Sequence, residues 1–162
     1  MNLFIPNCKT ELILTEDWTF RLYFERRCDK LLETSGIMER HGGSKGYGGW
    51  NWRYHPDPDG NRHYGRDLRH ELFTIPKGSV LKVDRVYIRQ GTTDTYDSLS
   101  FWLKNTTLLD PSDPKGKKKV KGRFWAKLAD VNKMVCEVYL GPKAHNITPE
   151  ERKSRIEMLF ED

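Results

Sequence analysis

The sequence predicts an α+β fold in one domain spanning residues 1–162: a small antiparallel β-barrel or sandwich with a C-terminal helix. Short segments of alternating apolar and polar residues recur every ten to twenty positions, with turn-forming residues between them, which is the pattern of small all-antiparallel cores. A helix-start signature closes the chain. Between the first strands and the rest, residues 36–71 form a long glycine- and aromatic-rich insertion.

Glu11-Leu12-Ile13-Leu14 opens the first strand region. Trp18, Phe20, Leu22 and Phe24 then alternate with Thr19, Arg21, Tyr23 and Glu25, the period-two pattern of a half-buried strand. Arg26 to Thr34 carries Cys28, Leu31 and Leu32 on one side and reads as a helix that Gly36 stops. Residues 39–71 hold seven of the thirteen glycines and four of the five histidines, and sustain no period. Ile75-Pro76-Lys77-Gly78 is turn chemistry, with proline at the second corner.

In the next strand Leu81 and Val83 alternate, and Val86 and Ile88 do so out of phase. A bulge at Asp84-Arg85 would return both pairs to one face. Leu99, Phe101 and Leu103 mark another strand, and Phe124, Ala126 and Leu128 a further one. Met134 to Leu140, with Val138 and Leu140 inward, is the last. A basic loop, residues 105–123, joins two of these strands. Thr148-Pro149-Glu150-Glu151 starts a helix over 148–160: threonine as N-cap, proline in the first turn, Glu151 completing a capping box. Ile156, Leu159 and Phe160 give it an apolar side for docking. In general pattern this order resembles small SH3-like or OB-like barrels.

Bulk properties narrow the class. Apolar residues make up 36% of the chain and aromatics 12%, so a core must lean on large rings. No apolar run approaches a membrane span, and Met1 to Pro6 does not read as a signal peptide. Cys8, Cys28 and Cys136 are odd in number and far apart, which argues against disulfides and thiolate zinc, and for a cytoplasmic setting. Nothing in the sequence sets an oligomeric state. No Walker loop, GxGxxG turn, GxSxG elbow or HExxH helix is present, and no cofactor is implied.

The net charge of +5 is local in origin. Lys115, Lys117, Lys118, Lys119, Lys121 and Arg123 fall within nine residues, and the remaining 22 basic residues balance 23 acidic ones. Such a run binds phosphate and releases counterions, or else serves as a solvated hairpin tip. Trp102 precedes the loop and Trp125 follows it, a pairing of charge and rings suited to single-stranded nucleic acid. In the insertion, Arg40, Lys45, Arg53, Arg62, Arg66 and Arg69 interleave with Trp50, Trp52 and Tyr54 among the aromatics. Arginine beside aromatic rings also dominates protein–protein contacts.

His55, Asp57, Asp59, His63 and His70 form an alternative site, with ligand types a divalent metal uses in a nuclease. The Asn61-to-His70 spacing resembles the last two positions of the HNH nuclease motif, but His55 lies too near Asn61 to complete it. Asp57-Pro58-Asp59-Gly60 is equally a turn in its own right. The expectation is therefore non-catalytic binding of nucleic acid, single-stranded or RNA, or of a nucleoprotein complex. Its size and character suit a phage or mobile-element factor acting on a host complex. A metal-dependent nuclease and a protein-binding inhibitor without nucleic-acid contact are the alternatives.

Overall fold

A computed structural model describes residues 6–23, 26–36, 45–46, 49–50, 70–88, 97–142 and 148–158. The chain runs β1 (Glu11–Leu14), β2 (Trp18–Tyr23), a 3-10 turn (Arg26–Cys28) and α1 (Asp29–Thr34). The short strands β3 (Lys45–Gly46) and β4 (Gly49–Trp50) follow, then β5 (His70–Ile75), β6 (Val80–Tyr87), β7 (Ser98–Asn105) and β8 (Gly122–Lys127). The last elements are α2 (Leu128–Val131), β9 (Cys136–Val138) and α3 (Pro149–Met158).

All strand pairs described are antiparallel. One sheet has five strands in the order β8-β7-β6-β1-β9, a second pairs β2 with β5, and β3 with β4 forms a third. The sheets are not closed, which corrects the barrel form of the expectation. Among the described residues β8 and β9 are the two ends of the large sheet, and they do not pair. In place of closure, the β2–β5 ribbon covers the inner face of the large sheet.

That cover is aromatic. Trp18 and Phe20, two residues apart on one face of β2, have ring centroids 4.3 Å apart. Phe20 stacks on Phe124 of β8 at 5.4 Å, Phe124 on Phe101 of β7 at 5.5 Å, and Trp18 meets Phe101 edge-on at 5.9 Å. Leu12, Leu22, Ile75, Leu81, Val83, Leu99, Leu103 and Ala126 fill the space around these rings and are buried. The Trp18 indole N–H donates to the backbone carbonyl of Asp130 at 3.0 Å. The Asp130 carboxylate accepts from the Arg21 Nε at 2.8 Å. Thus the short α2 is tied to β2 through both its backbone and its one buried acid.

The expected core is met along most of its length. The bulge in β6 is present: register slips by one residue between Val83 and Arg85, and Asp84 is the residue without a partner. A second slip leaves Lys104 unpaired in β7. The bulge carries Val86 onto the core, but Ile88 is 52% exposed, because β6 ends at Tyr87. Leu128, Val138 and Leu140 are half-buried, and Phe24 lies outside the described residues. Serines that alternate with the core of β7, Ser98 and Ser100, are buried as well.

Local chemistry sets the ends of the elements. Gly78 sits at φ +80° in a turn closed by the Ser79 N–H donating to the Pro76 carbonyl at 3.2 Å. Proline therefore occupies the first corner, one position from the expected one, and glycine takes the left-handed third. The capping box of α3 is formed: the Glu151 N–H donates to the Thr148 hydroxyl at 3.2 Å, and the Thr148 N–H to the Glu151 carboxylate at 3.1 Å. Its described side chains are exposed except for half-buried Ile156, so the expected docking face is not seen there; Leu159 and Phe160 lie outside the described residues.

Gly122 is required for a different reason. A Cβ at this position would lie 2.8 Å from the Lys30 Cβ, close to the α1 backbone and unable to swing away. Replacing Gly122 by Ala should therefore cost about 1–3 kcal/mol by prising α1 from β8. Phe101→Ala, at the centre of the ring cluster, should cost about 3–5 kcal/mol. Both are read as shifts of the urea unfolding midpoint at constant slope, and wild-type stability in either variant contradicts the packing described.

Candidate nucleic-acid interface

The loop between β7 and β8 is built around two aspartates. Asp110 is buried, and its carboxylate accepts from the Ser112 hydroxyl at 2.6 Å and the Ser112 N–H at 3.0 Å. The Lys30 ammonium of α1 lies 3.1 Å from one Asp110 oxygen and 3.0 Å from the other. Asp113 accepts the backbone N–H groups of Lys115, Lys117 and Lys118, at 3.2, 2.7 and 2.7 Å. These bonds hold its carboxyl below the ordinary value. The loop closes on itself through an antiparallel bridge between Leu109 and Lys119.

The lysines thus project from an organised hairpin tip. Lys115, Lys117, Lys118, Lys119 and Lys121 are all exposed. Among the described residues, only the Lys118 ammonium of this run comes within ion-pair distance of a carboxylate, Asp110 at a loose 4.0 Å.

The loop delivers the chain into β8, whose outward residues complete a set of cross-strand rows. Lys82, Trp102 and Arg123 face each other across β6, β7 and β8; Arg85, Ser100 and Trp125 form the next row; Tyr87, Ser98 and Lys127 the third. Trp102 is 44% exposed. The bulge turns Asp84 onto this same face, where one carboxylate oxygen accepts from the Trp102 indole N–H at 3.3 Å. Its other oxygen lies 2.7 Å from Arg123 Nη2 and 3.9 Å from Arg85 Nε.

Cations gather around this row. The Arg85 Nη1 donates to the Tyr87 hydroxyl at 3.5 Å. That bond, with the positive charges of Arg85, Arg27 and Arg123, holds the Tyr87 phenol below its ordinary value. The face therefore combines an exposed indole, several guanidinium groups and one carboxylate.

The predicted residues divide accordingly. Lys115, Lys117, Lys118, Lys119, Lys121, Arg123 and Trp102 share one end of the large sheet. Trp125 is a correction: it is 2% exposed, stacked on Tyr23 at 5.0 Å with the Arg27 guanidinium 5.6 Å from its ring. A base could not reach it. Lys45 and Trp50 pair across β3 and β4, and nothing further is described of them. Arg40, Trp52, Arg53, Tyr54, Arg62, Arg66 and Arg69 lie outside the described residues.

His55, Asp57, Asp59 and His63 of the alternative metal site lie outside them too. His70 opens β5 opposite Tyr23 and is exposed. Among the described residues, no three histidine, cysteine or acidic side chains come together as a metal site. No described helix is long and apolar enough to cross a membrane.

No protein-family model, curated protein or solved structure matches the chain.

Sequence reasoning did not single out Lys82, Asp84, Arg85, Tyr87 and Arg27. The signal for the first four was available. They occupy the polar positions of β6 once the bulge is placed, on the face that Trp102 shares. Arg27 was not accessible in this way, since it reaches the site from the 3-10 turn after β2.

The loop anchor has a measurable acid sensitivity. The Ser112 hydroxyl first, then the Lys30 ammonium and Ser112 amide, lower the Asp110 carboxyl from 3.8 to about 2, outweighing its desolvation. A carboxyl depressed in the fold stabilises it above the unfolded value and loses that contribution as pH falls. The protein should lose about 2 kcal/mol from this group between about pH 4 and pH 2. Denaturation midpoints measured across that window should fall less steeply in Asp110→Asn than in the wild type.

Proposed function

We propose that the protein binds nucleic acid without cutting it, alone or within a nucleoprotein complex, through the β7–β8 loop and the outer face of β6, β7 and β8. The observation that carries this reading is the exposed Trp102, in one cross-strand row with Lys82 and Arg123, at the foot of the lysine loop. Stacking surface and phosphate-binding charge side by side are what nucleic-acid surfaces of low sequence preference use. The ordered loop adds to this support, because side chains on a pre-formed tip lose less freedom on binding.

The reading needs no cofactor and no metal. A cytoplasmic setting goes with it, supported by three cysteines that form no disulfide. So does a sandwich of SH3-like or OB-like pattern, supported by the ring contacts between the two sheets.

The test is a salt titration of oligonucleotide binding. Changing Lys117, Lys118 and Lys119 to Ala together should weaken binding alike for every sequence. It should also reduce the slope of log affinity against log salt by about 0.7–0.9 for each phosphate that is no longer neutralised. The backbone bonds to Asp113 remain in that variant, so the loop should keep its shape. Wild-type protein that fails to bind DNA or RNA even at low salt removes the reading and leaves a protein partner in its place.

A further inference from the structure

Asp84 is an unusual presence in an otherwise cationic row. It is the extra residue of the β6 bulge, so an irregularity in one of the two eight-residue strands of the large sheet serves to aim this side chain outward. It reaches Trp102 and Arg123 together. The approach to Arg123 is close, at 2.7 Å, but misaligned: neither the Arg123 Nη2 nor Nε has a hydrogen-bond acceptor in line, although both are enclosed. An arginine fork normally engages an anion through two parallel N–H bonds. Here one carboxylate neutralises the charge and leaves the fork's hydrogen bonds unmade. Both side chains remain about a quarter exposed, 21% for Asp84 and 26% for Arg123, although the Asp84 oxygen and the two Arg123 nitrogens that face each other are enclosed.

We infer that Asp84 is a resident stand-in for a phosphate, and that the ligand of this face is single-stranded nucleic acid. Its phosphate displaces Asp84 from Arg123, and its base stacks on Trp102. This rests on the nucleic-acid reading and deepens it. A phosphodiester offers the fork two oxygens at once, which the carboxylate does not from its position on β6, two strands away across β7. Displacement also frees the edge of the indole held by Asp84. A duplex keeps its base faces stacked on each other, so only an unpaired base can meet the Trp102 ring. Arg85 and Lys82, on either side of Asp84 along β6, place further charge for the adjoining phosphates.

The experiment measures fluorescence anisotropy of a labelled oligothymidylate of about twelve nucleotides and of a duplex of equal length, a length within the range of small single-strand-binding sites. Wild type should prefer the single strand. Trp102→Ala should weaken it by about tenfold, within the range for removing one base stack. Trp102→Phe should keep most of the affinity, since it keeps a ring, while removing part of the tryptophan quenching that accompanies binding. Asp84→Asn, which retains an acceptor for the indole but lacks the charge, should bind roughly threefold tighter. Matching thermal unfolding of the variants separates these effects from misfolding, and the reduced quenching in Trp102→Phe decides should Trp102→Ala unfold.

Unchanged affinity in Trp102→Ala, or weaker binding by Asp84→Asn, overturns the inference. If the triple lysine variant still loses binding in that case, the broader reading survives. A preference for duplex overturns the single-strand assignment alone. Wild-type protein that binds neither probe overturns both readings.

Discussion

The described fold depends on four rings. Trp18, Phe20, Phe101 and Phe124 come from three strands in two separate sheets, and they join those sheets at their centre. With apolar residues at only 36% of the chain, this dependence follows from composition. A few side chains of large area must supply what many smaller ones do elsewhere. The Trp18 indole extends the same constraint to α2, whose Asp130 carbonyl it binds.

Because the rings fix β2 over β7 and β8, they also determine which face of the large sheet stays open. The inner face is filled by rings and aliphatic side chains. The outer face over β8 is partly taken up by Tyr23 against Trp125. Among the described residues, the strip around Trp102 stays exposed, with β6 on one side and the lysine loop at its end. The site thus lies on a part of the large sheet that this packing leaves uncovered, and its cations reach it from β6, β8 and the turn before α1.

Much of this was legible in the sequence. Period-two alternation identified β2, β6, β7 and β8, the phase change between Val83 and Val86 identified the bulge, and Thr148 with Glu151 identified the start of α3. These are local signals, each contained within a few residues. What was not legible depends on partners distant in the chain. Trp102 and Trp125 look alike as aromatic neighbours of a basic loop, yet Trp102 faces solvent while Tyr23, 102 residues earlier, covers Trp125. Ser100 looks like a solvent-facing residue by alternation and is buried. The open form of the large sheet was likewise hidden, since strand order is a matter of pairing and not of pattern.

The bulge has an evolutionary corollary. On either side of Asp84, β6 meets β7 in registers that differ by a single position. Loss of the codon for Asp84 would bring those registers into line and turn the stretch from Leu81 to Tyr87 into an uninterrupted ladder. Leu81, Val83 and Val86 would then alternate regularly, still facing Leu103, Phe101 and Leu99. The acidic group can therefore be gained or lost in one genetic step without repacking the interior, which makes this position one where a lineage can readily retune the charge of the face.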